Sequence, residues 1–484
     1  MKKSLLYKWL IFPLLSLSLI ISVAFFYKDE ILDFVYGREV EKIGTLERIQ
    51  QSGKLTALID YNSTNYFIYR GQPMGYQFEL LKAFTEHLGV KLEIVTSNNL
   101  EESFRKLQDG EVDVIATGLT ITNERSQFID FTDPLDQTVQ VLVQRKPENW
   151  RKLETNDEIE SQLIRNPLQL AGKTIVIQKT SSFKERLENL SNEMGEKINI
   201  IEDDNREVEQ LITAVAMGEI DYTISDEYIA LVNQHFHPDI DVGTPVSFPQ
   251  NIAWGIRLRN DNFKRELNKW LNEFKNTLTA RLLYNKYFKN PNTVNYARSE
   301  FHTIGGGKIS KYDEIIKEIS AKYDMDWKFL SSIVYQESGF KTQVESWRGA
   351  SGLMQLMPET AEMFGIDSLS SPSEQIEAGV KYIHWLDTQF KEVVTDSTER
   401  EKFVLAAYNV GLGHIWDARR LAEKYDRDPN VWTNSVDTFL LQKSNPIYYR
   451  DSVVRYGYCR GSEPFNFVVE ILDRYDHYNN LIKN

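Results

Sequence analysis

Residues 327–340 read WKFLSSIVYQESGF, and most of this stretch has the pattern of a helix. One face of that helix would carry Trp327, Leu330, Val334 and Glu337. Gly339 is typical of a helix C-terminus. A carboxylate that is partly buried beside the negative end of a helix has a raised pKa, so Glu337 could act as a general acid. The alternative is a surface glutamate in the last helical turn.

Two further motifs follow in order: GASGLMQLMP at 349–358 and AAYNVG at 406–411. Together with the Glu-Ser-Gly-Phe at 337–340, they resemble the lytic transglycosylases with a lysozyme-like fold. The resemblance implies cleavage of the β-1,4 bond after N-acetylmuramic acid in peptidoglycan. The sugar's own 6-hydroxyl attacks without water, and the product ends in 1,6-anhydromuramic acid. Ordinary glycosidases use two carboxylates, whereas Glu337 would serve here as acid and then as base.

The same resemblance implies supporting roles around Glu337. Ser338 would orient the carboxylate, and substrate would be bound by Gly352, Met354, Gln355, Tyr408 and Asn409. Glu345 and Glu359, the nearest other acids, match no catalytic position and are interpreted as surface residues. Phe467 stands where many relatives have tyrosine. The hydrogen bond of the tyrosine hydroxyl is therefore lost, or another tyrosine supplies it.

The chain before this region has an α/β pattern from about residue 44. Short apolar strands alternate with amphipathic helices up to residue 116, and a second such set begins at Gly172. This alternation predicts βαβ units and a mostly parallel sheet in each of two lobes. A strand at 253–258 would return to the first lobe. The stretches at 75–80, 113–118, 120–125 and 130–134 resemble the family 3 extracellular solute-binding proteins, over roughly residues 44–290.

That second resemblance implies a small ligand, often an amino acid, held between two lobes; a peptide or a muropeptide is also possible. Arg125 would grip its carboxylate, and Asp226 would hold its amino group. The other implied ligand-binding residues are Thr120, Thr180 and Ser181. Lys179 replaces a usual glycine, which would change how closely a ligand approaches. The alternatives are a surface salt bridge for Arg125 and a helix N-cap for Asp226.

The N-terminus predicts export. Three lysines precede an uncharged run from Trp9 to Tyr27, so residues 1–27 form either a signal peptide or a single membrane anchor. We therefore expect a periplasmic protein at a membrane surface. Family resemblance favours a peripheral position on the outer membrane, and an uncleaved segment would instead anchor the chain in the inner membrane.

Composition excludes several function classes. With 56 basic and 70 acidic residues the net charge is −14, which argues against a nucleic-acid partner. The single cysteine, Cys459, is interpreted as a buried apolar residue. The seven histidines lack ligand spacing, so no metal site and no cofactor are expected.

The predicted architecture is therefore an α/β, two-lobed, periplasmic-binding-protein-like domain at 44–290 followed by a mainly α, lysozyme-like domain at 308–484. A glycine-containing linker at 291–307 separates them. The C-terminal stretches at 448–450 and 456–461 resemble those of the membrane-bound lytic transglycosylase F family, which has this domain order. Two other functions stay open at this point: a hydrolase of the goose-lysozyme type, and a sensor whose helical domain is inactive.

Overall fold

The computed structural model describes residues 44–289, 307–346, 349–367 and 369–482. The predicted N-terminal segment 1–27 lies outside these residues, as does the predicted linker apart from Gly307. Within the described ranges, no helix combines the length and the apolar character needed to cross a bilayer.

The first lobe is built on a mixed sheet of six strands in the order β4-β1-β5-β13-β6, with β7 also paired to β13. Strands β1, β4 and β5 are parallel, whereas β13 runs antiparallel to β5 because the chain returns to this lobe from the second one. These strands are β1 Lys54–Ile59, β4 Lys91–Thr96, β5 Val114–Thr120, β6 Asp130–Phe131, β7 Asp136–Thr138 and β13 Gln250–Ile256, and a small hairpin joins β2 Phe67–Tyr69 to β3 Gln72–Met74.

The second lobe contains a five-stranded sheet in the order β10-β9-β11-β8-β12. Its first three strands are parallel, and β8 and β12 are antiparallel additions. The predicted parallel βαβ units are therefore confirmed, but each lobe ends in antiparallel pairs that the alternating pattern did not reveal. The strands are β8 Gln140–Arg145, β9 Thr174–Gln178, β10 Asn199–Asp203, β11 Tyr222–Asp226 and β12 Ile240–Pro245.

Helices cover the sheets of both lobes. The first lobe is covered by Thr45–Ser52, Tyr76–Leu88, Leu100–Gln108, Asp261–Phe274 and Leu278–Tyr284, and the second by Asn156–Glu160, Phe183–Met194, Val208–Met217 and Glu227–Phe236. Short 3₁₀ turns lie at Arg125–Gln127, Trp150–Lys152 and Pro167–Leu170, and a π-helical turn at Asn285–Lys289.

The second domain is helical, as predicted. Its helices are Asp313–Lys322, Trp327–Ser338, Pro358–Met363, Pro372–Phe390, Ser397–Val410, Leu412–Lys424, Asp437–Gln442, Pro446–Tyr449 and Ser462–Leu481, with a π-helical turn at Trp432–Val436. We call Trp327–Ser338 the catalytic helix and Ser462–Leu481 the C-terminal helix. Both pack in one apolar core, where Ile333, Val334 and Ile471 are fully buried. Cys459 is buried, as expected.

The C-terminal helix also joins the two domains. The hydroxyl of Tyr66 lies 2.5 Å from Nδ1 of His477, and the hydroxyl of Tyr478 donates to the carbonyl of Gly71 at 2.7 Å. The side-chain amide of Asn480 donates to the carbonyl of Ile94 at 3.1 Å. Ile68 of the first domain is buried within the core of the helical domain. The domains therefore share a packed interface.

Candidate active site and binding cavity

Glu337 is the penultimate residue of the catalytic helix, and Gly339 ends that helix in the left-handed conformation with φ of 57°. The predicted helix and its stop are confirmed. The Glu337 side chain is mostly buried, and none of its neighbours in the described chain donates a hydrogen bond to it. Burial raises the pKa of Glu337 to about 8. A carboxyl group in this environment is protonated at neutral pH and can donate a proton.

Ser338 is buried beside Glu337, and its hydroxyl donates to the carbonyl of Val334 at 3.1 Å. This bond lies within the catalytic helix. The orientation of Glu337 by Ser338 stays a prediction.

A turn at Gly352–Gln355 is bonded to Tyr408, whose phenol lies near Glu337, and two side chains hold this turn. The amide of Gln355 donates to the carbonyls of Val344 and Gly352, at 2.8 and 2.9 Å. The hydroxyl of Tyr408 donates to the carbonyl of Met354 at 2.7 Å. Its proton is thus engaged within the protein, and its lone pairs remain to accept a bond from a sugar hydroxyl or amide.

Gln375, which the sequence pattern did not single out, supports the same turn. Its Oε1 accepts the backbone amide of Leu353 at 2.9 Å, and a Cβ placed on Gly352 would lie 2.4 Å from that oxygen. Gly352 has φ of 79°, so both its conformation and the available space require glycine. The signal in the sequence was a glutamine in the first turns of an otherwise apolar helix face, next to Ile376.

Met354 is 1% exposed, so its side chain belongs to the core rather than to an open groove. It packs against Gly379, where a Cβ would lie 2.4 Å from the methionine methyl group. The predicted binding of substrate by this side chain has no support from its position, because a buried thioether presents no surface to a glycan. Met354 supports the turn from beneath.

The AAYNVG motif at 406–411 places Tyr408 and Asn409 near the end of the helix Ser397–Val410. Tyr408 is buried, and both burial and the nearby Glu337 raise the pKa of its phenol. The half-buried amide of Asn409 makes no hydrogen bond to another described residue. An amide with free donors and acceptors, one residue after Tyr408, suits recognition of sugar acetamido and hydroxyl groups.

Phe467 of the C-terminal helix stacks on Tyr408, with ring centroids 6.4 Å apart and planes 7° from parallel. It keeps the packing of the usual tyrosine and lacks its hydroxyl. Tyr382, which sequence reasoning did not single out, has its ring 5.2 Å from that of Tyr408 and is half-buried. Its hydroxyl is a candidate to take over that bond. Nothing in the local sequence distinguished Tyr382 from a core aromatic.

A separate cavity of about 180 Å³ lies between the two lobes of the first domain. Four of the five predicted ligand residues line it: Thr120, Arg125, Ser181 and Asp226. Thr180 is not among the lining residues, and its hydroxyl donates to the carbonyl of Lys179 at 2.6 Å. The binding of a ligand by Thr180 stays a prediction, and a positive φ of 61° turns the chain at this residue.

Arg125 and Asp226 lie in this cavity with unused bonding capacity. Arg125 is 9% exposed, and Nη1 donates to the carbonyl of Thr120 at 3.0 Å. Asp226 occupies the N-cap position of Glu227–Phe236 without capping it, and its buried Oδ1 has no hydrogen-bond partner. Burial raises the pKa of Asp226 to about 7, although Arg125 opposes that shift. The two groups thus suit the carboxylate and the amine of one ligand.

Lys179, the residue that replaces a usual glycine, is exposed. Its Nζ lies 2.8 Å from Oδ1 of Asp204 on the outer surface, and it does not line the cavity. The Lys179 side chain therefore does not reduce the volume of the cavity.

Comparisons with known proteins match each domain to a family. Residues 54–290 match the bacterial extracellular solute-binding proteins, family 3, and residues 314–431 match the transglycosylase SLT domain. The first domain is also similar to holo ArgBP from T. maritima, at 23% identity and a TM-score of 0.40, over 50% of this chain and 98% of that one.

Two relatives match nearly the whole chain, and both are membrane-bound lytic murein transglycosylases F. The one from Desulfosudis oleivorans is 33% identical over 96% of each chain. The one from Pseudomonas fluorescens is 32% identical over 92% of this chain and 88% of its own.

The fold and the two matched domains define a peptidoglycan lytic transglycosylase that carries a solute-binding-protein-like domain. With relatives at this identity over almost the full length, the chain belongs to the membrane-bound lytic murein transglycosylase F family.

Proposed function

We propose that Glu337 alone performs both proton transfers of the transglycosylase reaction. As an acid with a raised pKa, it protonates the leaving glycosidic oxygen. As the resulting carboxylate, it takes the proton from the muramic acid 6-hydroxyl, which attacks C1 and closes the 1,6-anhydro ring. The observation that supports this proposal is the mostly buried carboxyl of Glu337 at the end of the catalytic helix, where burial raises its pKa to about 8. Glu345 and Glu359, the next two acids after Glu337 in the chain, are both exposed.

The glycan is positioned by the groups that surround Glu337. The turn at Gly352–Gln355 forms one wall, and the free amide of Asn409 and the lone pairs of Tyr408 accept and donate bonds to the sugar. Because the Gln355 and Tyr408 donors are already satisfied within the protein, the wall is rigid before substrate arrives. Such preorganisation lowers the cost of aligning the 6-hydroxyl with C1.

The test is mass spectrometry of peptidoglycan digested by the purified full-length protein. We expect products that end in 1,6-anhydromuramic acid. Reducing ends would instead indicate a hydrolase of the goose-lysozyme type, and the absence of any released product would indicate a sensor with an inactive helical domain.

We further propose that the interlobe cavity binds a small zwitterionic ligand, such as a wall-derived peptide or a muropeptide, and that binding regulates cutting. Two-lobed domains respond to ligand by hinge closure. The ligand shifts the equilibrium only through its different affinity for the open and closed states.

The C-terminal helix is the candidate route for this coupling. Through His477 it contacts Tyr66, whose neighbour Asn65 donates to the cavity residue Asp60 at 2.9 Å. One to two turns earlier in the same helix, Arg474 and Glu470 bond to Gln336 at 2.8 and 2.7 Å, directly beside the catalytic residue. A shift of the first lobe would therefore be transmitted to the end of the catalytic helix.

Substitution of Arg125 with alanine is expected to weaken ligand binding by at least tenfold, because a buried hydrogen bond to a charged group contributes about 1.5–3 kcal/mol. Couplings of typical strength change turnover about 5- to 150-fold when the ligand binds. In the Arg125→Ala protein this ligand-dependent change should be smaller, because less ligand is bound at the same concentration. Calorimetry and muropeptide release, each with and without wall peptides, measure both effects. If peptides bind wild type without changing its turnover, the domain only places the enzyme on its substrate.

We also propose that the protein works in the periplasm at a membrane surface. Its relatives are named as membrane-bound enzymes. The apolar run that ends at Tyr27, with lysines before it, supports export. Fractionation of cells, with and without residues 1–27, tests this placement.

A further inference from the structure

The lining of the interlobe cavity contains more acidic than basic side chains. Its lining includes four carboxylates and a single guanidinium: Asp60, Glu207, Glu209, Asp226 and Arg125. One carboxylate and one amine of an amino acid would satisfy Arg125 and Asp226. Asp60 and Glu209 would still face the cavity, whose lining contains no second cationic side chain.

Two of these acids come from opposite lobes. Asp60 follows the first-lobe strand Lys54–Ile59, whereas Glu209 lies in the first turn of the second-lobe helix Val208–Met217. Glu209 accepts the backbone amide of Ser63 at 3.2 Å and also the hydroxyl of Ser63, so the lobes are already bridged at this point. Closure of the lobes therefore brings Asp60 and Glu209 together in one buried space.

The electrostatic consequence is visible at both residues. Burial raises the pKa of Asp60 to about 7, although hydrogen bonds oppose the shift, and the charges of Glu209 and Glu207 add to it. Burial likewise raises the pKa of Glu209. A closed but empty cavity thus disfavours the charged forms of its own acids. A cation between the two lobes would remove that penalty and would favour the closed arrangement.

We propose that the cavity selects a ligand with a second cationic group, an ammonium or guanidinium that lies between Asp60 and Glu209 and draws the two lobes together. This inference rests on the proposed binding function of the first domain and specifies its ligand. A wall peptide that fits must then contain a residue with a free side-chain amine. Peptides whose only cation is the α-amino group would bind weakly.

L-Lysine and L-norleucine test the proposal, because they have the same chain length and differ in the side-chain ammonium. Calorimetry on the full-length protein is expected to show L-lysine binding at least tenfold more tightly than L-norleucine, and L-glutamate binding more weakly than L-lysine. Equal affinity for L-lysine and L-norleucine, tighter binding of L-glutamate, or no binding of L-lysine would overturn the proposal.

Variants on both lobes locate the cation. Glu209→Gln and Asp60→Asn should each reduce the affinity for L-lysine at least tenfold and change that for L-norleucine less than threefold. Glu193→Gln, on an exposed second-lobe residue paired with Arg186, is the matched control and should leave both affinities unchanged. An unaltered preference for L-lysine in both cavity variants contradicts the assignment.

These outcomes separate the ligand from the enzyme activity. Calorimetry reports binding whether or not the protein cuts peptidoglycan, and mass spectrometry reports cutting without any added amino acid. If L-lysine binds as expected but turnover stays constant, the regulatory coupling fails and the ligand assignment stands.

Discussion

Glu337→Gln is expected to reduce turnover by at least about a hundredfold, the lower range for loss of a general acid. Glutamine is nearly the same size as glutamate, so it should fill the same mostly buried space at the end of the catalytic helix. An amide can neither protonate the leaving oxygen nor retrieve a proton from the 6-hydroxyl. Release of anhydromuropeptides by wild type and variant, at matched protein concentration, measures the effect.

Glu345→Gln is the matched control, because Glu345 is an exposed acid close to Glu337 in the chain. We expect this variant to keep wild-type turnover. Substantial activity in a well-folded Glu337→Gln protein would contradict the assignment of Glu337 as the proton donor.

The same residue predicts the pH dependence. Because burial raises the pKa of Glu337 to about 8, kcat/KM should fall as the pH rises through about 8 and the acid is lost. The folded state also holds this proton more tightly than the unfolded chain, whose glutamates have a pKa near 4.5. Its stabilising contribution is therefore complete below pH 4.5 and is lost progressively up to about pH 8, by at most about 1.4 kcal/mol per pH unit. Glu337→Gln should remove that dependence.

Lys443→Met is expected to destabilise the helical domain by about 3–5 kcal/mol, the usual result of removing one partner from a buried ion pair. Lys443 and Asp417 are both 0% exposed, with Nζ 2.7 Å from Oδ2. Burial acts to raise the pKa of Asp417, but the bond from Lys443 and the amides of Arg455 and Tyr456 hold it below its usual range. Without the lysine, a buried carboxylate loses its main counter-charge.

Urea denaturation of wild type and Lys443→Met measures this loss. Lys317→Met is the matched control, because Lys317 is exposed and pairs with the exposed Glu314 at 3.5 Å. Exposed pairs contribute about 0–1 kcal/mol, so this variant should stay within about 1 kcal/mol of wild type. A change of that small size in Lys443→Met would show that Arg420, which also contacts Asp417, suffices as the counter-charge.

The buried pair of Lys443 and Asp417 also positions a chain segment that lies against the helix following Asn409. Asp417 accepts the amides of Arg455 and Tyr456 at 2.8 Å each, which fixes the stretch that resembles the family's C-terminal segment. In that position the ring of Tyr456 lies over Gly413, where a Cβ would be 2.5 Å away. Gly413 lies in the first turn of the helix Leu412–Lys424, which follows Asn409. The buried pair therefore holds in place the chain next to the AAYNVG motif at 406–411.

Local patterns were sufficient where a short segment contains its own signal. The catalytic helix, its Gly339 stop and the core position of Cys459 follow from spacing and residue type, and all three are confirmed. The helix Pro372–Phe390 begins where Ser371 and Glu374 form a capping box. That start was also present in the sequence as Ser-Pro-Ser-Glu, a known N-terminal signature.

The sequence by itself determined which residues could do chemistry and in which element each one lies. Only the tertiary structure decided their electrostatic state and their partners. The pKa of Glu337 depends on the helices packed over it, and the charge of the interlobe cavity depends on Asp60 and Glu209 meeting from different lobes. The contact between Tyr66 and His477 joins residues 411 positions apart. Desolvation and Coulomb interactions act through space, and they depend on neighbours that no local pattern specifies.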